Sequence, residues 1–370
     1  MTQRPSTTQK NWPRGWAPRW TRSTWPGTDR MAAVRLYAMA GLLLAVVGGG
    51  PAGFAADAGA PLVLEKTIPL KEVSGRIDHM AIDLARHRLA VAELGNDTVD
   101  VIDLDSGRAV SRIVDLGEPQ GVAFTAGGDA LVVANGDDGS VRFFRADDLA
   151  PAGRVDLGSD ADNVRIDRAT GHLVVGYGAG ALAVIDSASR TKLADAPLPV
   201  HPEGFQLTPD GNRAYVNLPD AQQVAVVDLS SGKQVAMWSM KGRRSNFPMA
   251  IDPAGRTLAI AFRGPPQLVL LDAVTGEERA SIGTCGDADD VFFDERRRRM
   301  YVSCGEGMVD VLERSDREIQ RIAQVPTSSG ARTALFVPEM DRLYVAVRAG
   351  LLGGEAKILV FRPAPALETP

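Results

Sequence analysis

From about residue 62 onward, short apolar runs alternate with polar or glycine-containing turns, and no stretch keeps the spacing of a long amphipathic helix. The runs recur in register. Seven segments, "IDHMAIDL" at Ile77, "PQGVAFTA" at Pro119, "ADNVRIDR" at Ala161, "PEGFQLTP" at Pro202, "NFPMAIDP" at Asn246, "ADDVFFDE" at Ala288 and "ARTALFVP" at Ala331, start 42, 42, 41, 44, 42 and 43 residues apart. Each leads through a turn into a second apolar strand ("LAVAEL", "LVVANG", "LAIAFR"). A third strand follows and usually ends at aspartate ("TVDVIDL", "QVAVVDL"), and a Ser, Asp or Gly turn then opens a fourth. Such residues accept turn dihedrals and hydrogen-bond their own backbone. Four antiparallel strands repeated seven times predict an all-β, seven-bladed β-propeller. The last unit supplies only three strands, ending with "AKILVF" (356–361), while "LVLEKTIP" (62–69) precedes the first complete unit. Pairing the two closes the ring and removes an open sheet edge.

The second and third strands, as in "LAVAELGNDTVDVIDLDSG", "AYVNLPDAQQVAVVDLSSG" and "MYVSCGEGMVDVLE", resemble the YVTN-type propeller repeat, and the chain from about 62 to 363 is similar to exported YncE-like propellers. The resemblance implies the fold and export. It leaves the activity open, because the family includes proteins of unknown ligand and some with a DNA-binding property, and related propellers carry haem or act as lactonases.

Residues 1–58 break the pattern. "MAAVRLYAMAGLLLAVVGGGPAGFAADA" (31–58) has a basic residue, an apolar run too short to span a bilayer, and small residues around a cut after Ala55 or Ala58, which together read as a signal peptide. Residues 1–30, basic, proline-rich and holding four of the five tryptophans, read as an upstream extension or discarded leader. Residues 59–370 then form a single propeller domain, expected to be periplasmic or secreted, soluble and monomeric. Without residues 1–55 the chain keeps 34 Lys and Arg against 45 Asp and Glu, a net charge of about −11. So acidic a body disfavours nucleic acid as a partner.

Propeller topology gathers the residues just before each first strand around one mouth of the central channel. One column there holds Asp78, Gln120, Asp162, Glu203, Phe247, Asp289 and Arg332; the next includes His79, Asn163 and Asp290; Arg76, Asp160, His201, Arg244, Asn246 and Asp287 lie nearby. Such a ring suits a small polar ligand or, through its oxygen donors, a divalent cation. Phe247 and Arg332 among the acids favour an off-centre organic ligand, and Arg76, Arg244 and Arg332 are expected to neutralise carboxylates. Adjacent residues on a strand point to opposite faces, so Asp78 and His79 do not read as a catalytic dyad. His87 and His172 fall at the opposite face. Motifs for covalent haem, zinc hydrolysis, phosphate loops and serine hydrolases are absent, and no catalytic residue or cofactor is assigned.

The stretch "TCGDADDVFFDERRRRMYVSCGEG" (284–307) contains the only two cysteines, Cys285 and Cys304, at the mouth end of neighbouring strands. An exported chain favours a disulfide between them, with a thiol metal site as the alternative. The arginine run 296–299 reads as a solvated turn. The expected function is a binding or scaffold module that recognises a small polar ligand or an exported protein partner at the mouth. A lactonase- or lyase-like enzyme using mouth carboxylates, and a nucleic-acid-binding propeller, are the alternatives.

Overall fold

The computed structural model describes residues 60–315, 318–350 and 354–365, so the leader at 1–30 and the signal at 31–58 lie outside the described residues. Seven four-stranded antiparallel sheets are arranged as blades. In blades 1 to 6 the strands follow chain order from the channel outward, and the innermost strands are Met80–Asp83, Pro119–Phe124, Ala161–Ile166, Phe205–Leu207, Arg244–Ile251 and Ala288–Asp294. Blade 7 runs outward from Ala334–Val337 through Arg342–Val347 and Ala356–Pro363 to Leu62–Leu70. The ring therefore closes as expected, with Leu62 opposite Pro363 and Leu70 opposite Ala356.

Burial explains the sequence pattern. The second and third strands of each blade are sandwiched between neighbouring blades, so "ALVVAN" (130–135) is buried throughout rather than alternating. Between blades 2 and 3, Val132, Ala134 and Phe143 pack with Ala161, Val164 and Val175. The fourth strand faces solvent, and "RAVSRI" (108–113) is mostly exposed. Lys66, on the closing strand, donates to the Leu104 carbonyl of blade 1 at 3.1 Å and ties the seam to the next blade.

The arginine run departs from expectation. Arg296 and Arg298 are exposed, but Arg297 and Arg299 are buried. Arg297 forks onto Asp341 with two 2.7 Å bonds, reaches Asp294 at 3.0 Å, and donates to the carbonyls of Pro363 and Ala364 at 3.1 and 2.9 Å. Arg299 donates to Ala364 and Pro365 at 2.7 and 3.3 Å. Arg299 opens the strand Arg299–Cys304, while Arg297 is held inward from the turn by its bonds to Asp294 and Asp341. They clamp blade 6 to the end of the closing seam.

One local irregularity recurs and shapes the mouth. The inner strands shift register near their start, between Pro119 and Val122, Ala161 and Val164, Asn246 and Met249, and Ala288 and Asp290. In blade 1, Asp78 N–H donates to Ala92 O while Ala92 N–H donates to His79 O, so two residues oppose one. Glu203 and Gly204 oppose Asn217 in the same way. Such a bulge re-aims side chains at the rim of a sheet. Gly121 sits where blades 2 and 3 touch, and a Cβ there would collide with the Asp162 carbonyl.

Candidate functional site

The bulges turn neighbouring side chains into one cavity of about 330 Å³ at the mouth of the channel. Asp78 and His79 both line it, contrary to the alternation expected of a regular strand, as do Asp162 with Asn163 and Asp289 with Asp290. A wider chamber of about 970 Å³ opens toward the other face. The two share His79, Arg165 and Asp290, which form the waist between them.

The polar groups divide into two arcs. On the side of blades 1 to 4, the Asp162 carboxylate lies 3.9 Å from His79 Nε2 and 3.9 Å from His201 Nε2. His201 Nδ1 is 2.6 Å from the Gly178 carbonyl and 3.4 Å from Asp160, which accepts a 3.2 Å bond from Gln120. Burial works against the charge on His201, but Asp162, the Gly178 carbonyl and Asp160 outweigh it and hold its pKa up at about 9. Burial likewise opposes ionisation of Asp162, and the two histidines overcome it, leaving its carboxyl below its ordinary range. On the side of blades 5 to 7, Arg263 and Arg332 both engage Asp287 and Asp289, with Arg332 at 3.0 Å from each. Arg263 also lies over the Phe247 ring, 4.1 Å from its centroid.

Three groups stand apart from these pairs. Glu203 is pushed up to about 8 by burial and by the Asp162 charge. Asp290 accepts a 2.7 Å bond from the Ala334 N–H, yet burial and Asp289 raise it well above the usual carboxylate range. Arg165 is pulled below its ordinary value by burial.

Eleven of the thirteen expected side chains line this cavity: Arg76, Asp78, His79, Gln120, Asp162, Asn163, His201, Glu203, Asp289, Asp290 and Arg332. Asp287 sits at its edge, bridging Arg263 and Arg332 and lining a small adjoining pocket. Asn246 does not join them: it is buried, donating to Asn217 Oδ1 and to the Gln223 carbonyl at 3.0 Å each, because the bulge turns it between blades 4 and 5. Arg263, not Arg244, supplies the cation from blade 5. Sequence columns taken ahead of the strands missed Arg165 and Arg263. Arg165 carried a signal, since it stands in register with Ala81, Ala123, Gln206, Ala250, Phe292 and Leu335 and is the sole charge among them. His87, exposed beside Asp105, and His172 lie outside the cavity.

Cys285 and Cys304 form a disulfide with Cα atoms 5.9 Å apart. The Cys285 N–H donates to the buried Asp310 carboxylate at 2.8 Å, anchoring the loop that carries Asp287 and leads into the strand of Asp289. Among the described residues, no group of three or more His, Cys, Asp and Glu side chains is arranged to hold a metal ion. Nor is any helix among them long and apolar enough to cross a membrane.

No protein-family model and no curated protein sequence matches the chain. Solved structures do. A chain of the Kuenenia stuttgartiensis hydrazine synthase structure superposes with a TM-score of 0.69 at 16% identity, over 79% of this chain and 98% of that one. A chain from a crystal structure of the mitotic checkpoint complex gives 0.71 at 15% identity, over 89% of this chain and 99% of that one. At this identity the likeness establishes the propeller fold, an architecture that accommodates binding and scaffold roles, and carries nothing about chemistry.

Proposed function

We propose that the protein is an exported, YVTN-type propeller that binds a small polar ligand in the mouth cavity. The observation that carries this is the convergence of charged and amide side chains from all seven blades on one space of about 330 Å³. A volume of that order holds roughly eleven waters, which corresponds to a ligand of about ten non-hydrogen atoms. Cations and anions are interleaved around it, which suits a ligand with both donors and acceptors better than a strongly charged one. Export is supported by the disulfide and by the signal-like segment at 31–58. Carboxylates at the mouth and the acidic body argue against a phosphate backbone as partner.

A hydrolase or lyase reading draws on one observation, the placement of Glu203 and His201, with values of about 8 and 9, in the same cavity. Glu203, raised toward neutral pH, is suited to proton transfer, and His201, raised away from it, stands beside it as a held cation. Turnover of a bound compound would put this reading first.

The test is a thermal-shift screen of small polar compounds against the wild type and Asp162→Asn/Asp289→Asn. A ligand at a hundred times its Kd stabilises by about 2.7 kcal/mol, or roughly 4 °C for a domain of this size. Binders should shift the wild type and leave the folded double variant unmoved. Equal shifts in both proteins would place binding elsewhere.

A further inference from the structure

Four guanidinium groups reach the mouth cavity, and three are occupied. Arg76 lies 3.3 Å from Asp78, while Arg263 and Arg332 share Asp287 and Asp289. Arg165 is different. Among the described residues no carboxylate stands within 4.0 Å of it, and its hydrogen bond is a 2.9 Å contact from Nη1 to the carbonyl of Val164 in its own strand. One face looks toward the Phe205 ring at 5.5 Å, which orients the group without using its N–H donors. A guanidinium carries five such donors in a planar fork that matches a carboxylate. The side chain is half-buried on the cavity wall, and its remaining donors face that space without a partner from the protein.

A second group on the same strand is also incomplete. Asn163 is only 3% exposed, and its Nδ2 donates to Asp162 at 3.2 Å, while its Oδ1 is buried without a hydrogen-bond partner. Reversing the amide would set an oxygen against the Asp162 carboxylate, so the acceptor is the atom left over. Buried polar atoms in folded proteins are nearly always paired. Asn163 and Arg165 both line the cavity, two residues and therefore about 7 Å apart along the strand.

We propose that the mouth cavity takes a small organic acid with hydroxyl or amino groups near its carboxylate, the carboxylate seated on the Arg165 guanidinium and one donor on Asn163 Oδ1. This rests on the cavity being the ligand site and specifies what it recognises. A single unpaired cation in a cavity that the Asp162 and Asp289 carboxylates also line admits one negative charge and disfavours a doubly charged anion. Burial raises Asp290 well above the usual carboxylate range and Glu203 to about 8, so Glu203 is protonated at neutral pH and can donate to the acid's oxygens.

The experiment is isothermal titration at pH 7 with hydroxy and amino acids of three to six carbons, each paired with the alcohol or amine that lacks its carboxylate and with the unsubstituted acid. At least one substituted acid should bind the wild type at least tenfold more tightly than both of its partners, whether the donor is hydroxyl or amine. Arg165→Gln should reduce that acid to the level of its alcohol or amine. Arg165→Lys, which keeps the charge but loses the fork, should fall between, and Asn163→Ala should bring the substituted acid close to the unsubstituted one. Folding of each variant is checked by circular dichroism, and if Arg165→Gln does not fold, Arg165→Lys and Asn163→Ala decide. Alcohols or amines binding as well as acids, or affinity unaffected by the Arg165 variants, would overturn the ligand class and leave the cavity reading standing. Silence from every probe would overturn the ligand class too, and the screen of polar compounds described above then decides the cavity reading separately.

Discussion

Removing the disulfide tests how the mouth is held in shape. Cys285→Ala, Cys304→Ala and the double variant form a cycle across a cross-link that spans a sequence separation of 19. Constraining the unfolded chain by a loop of that size stabilises the fold by about 3 kcal/mol. Both sulfurs are also buried, in a cluster with Leu268, Met300 and Leu312, so each one removed costs about 1 kcal/mol more. Either single variant should then lose about 4 kcal/mol and the double about 5, well short of the 8 that independent effects would give. The missing 3 kcal/mol is the tether. A domain of about 300 residues has an unfolding entropy near 0.6 kcal/mol/K, which converts these losses to Tm decreases of about 7 and 8 °C. Urea midpoints and calorimetry without reductant, on wild type whose disulfide is intact, would read them. Single losses near 1 kcal/mol that simply add in the double variant would show that the cross-link constrains nothing, and would refute the reasoning.

Two further outcomes follow from the electrostatics. His201 has a folded value near 9 against an ordinary 6.5, so its contribution is complete below about pH 6.5 and disappears as pH rises through 9; Glu203, near 8 against 4.5, holds its proton longer when folded and also makes stability fall with rising pH, from about 4.5 to 8. Urea midpoints should therefore decline from pH 6.5 to 9, less steeply in Glu203→Gln, and a flat profile would rule this out. Arg297→Ala takes the cation from the buried Asp294, leaving it the Tyr301 hydroxyl, and should cost about 3 to 5 kcal/mol, whereas Arg296→Ala, on a side chain 66% exposed, should cost less than about 1. Similar losses in both would mean the clamp carries no weight.

The repeat and its seam were legible because burial between blades forces apolar runs at fixed spacing, and "LVLEKTIP" had no partner until the last blade was counted. The disulfide was legible from topology, which brings Cys285 and Cys304 together, and from the expectation of export, which favours their oxidation. The mouth was legible as a ring of columns but not in its details. A bulge is a backbone event with little side-chain signature, so the joint placement of Asp78 and His79, and the loss of Asn246 to the space between blades, could not be read from alternation. Arg297 and Arg299 looked like a solvated turn because their partners, Asp341 and the carbonyls after Phe361, lie one blade onward. Arg165 was visible as the one charge in an otherwise uncharged column, and its meaning required knowing that the column faces the channel.

The seam also has a mechanical side. Its two strands run antiparallel, with Leu62 beside Pro363 at one end and Leu70 beside Ala356 at the other, so a pull on the chain before 62 and after 363 meets the pair at the same end. Load applied there would open the ladder one bond at a time, as a zip, rather than shear all of it at once. The first bonds to feel it are the one from Ala364 N–H to the Pro61 carbonyl and those that Arg297 and Arg299 make to Pro363, Ala364 and Pro365. The two arginines are thus stationed where tearing would begin, and the ring's resistance to force depends more on them than on the eight residues of strand behind them.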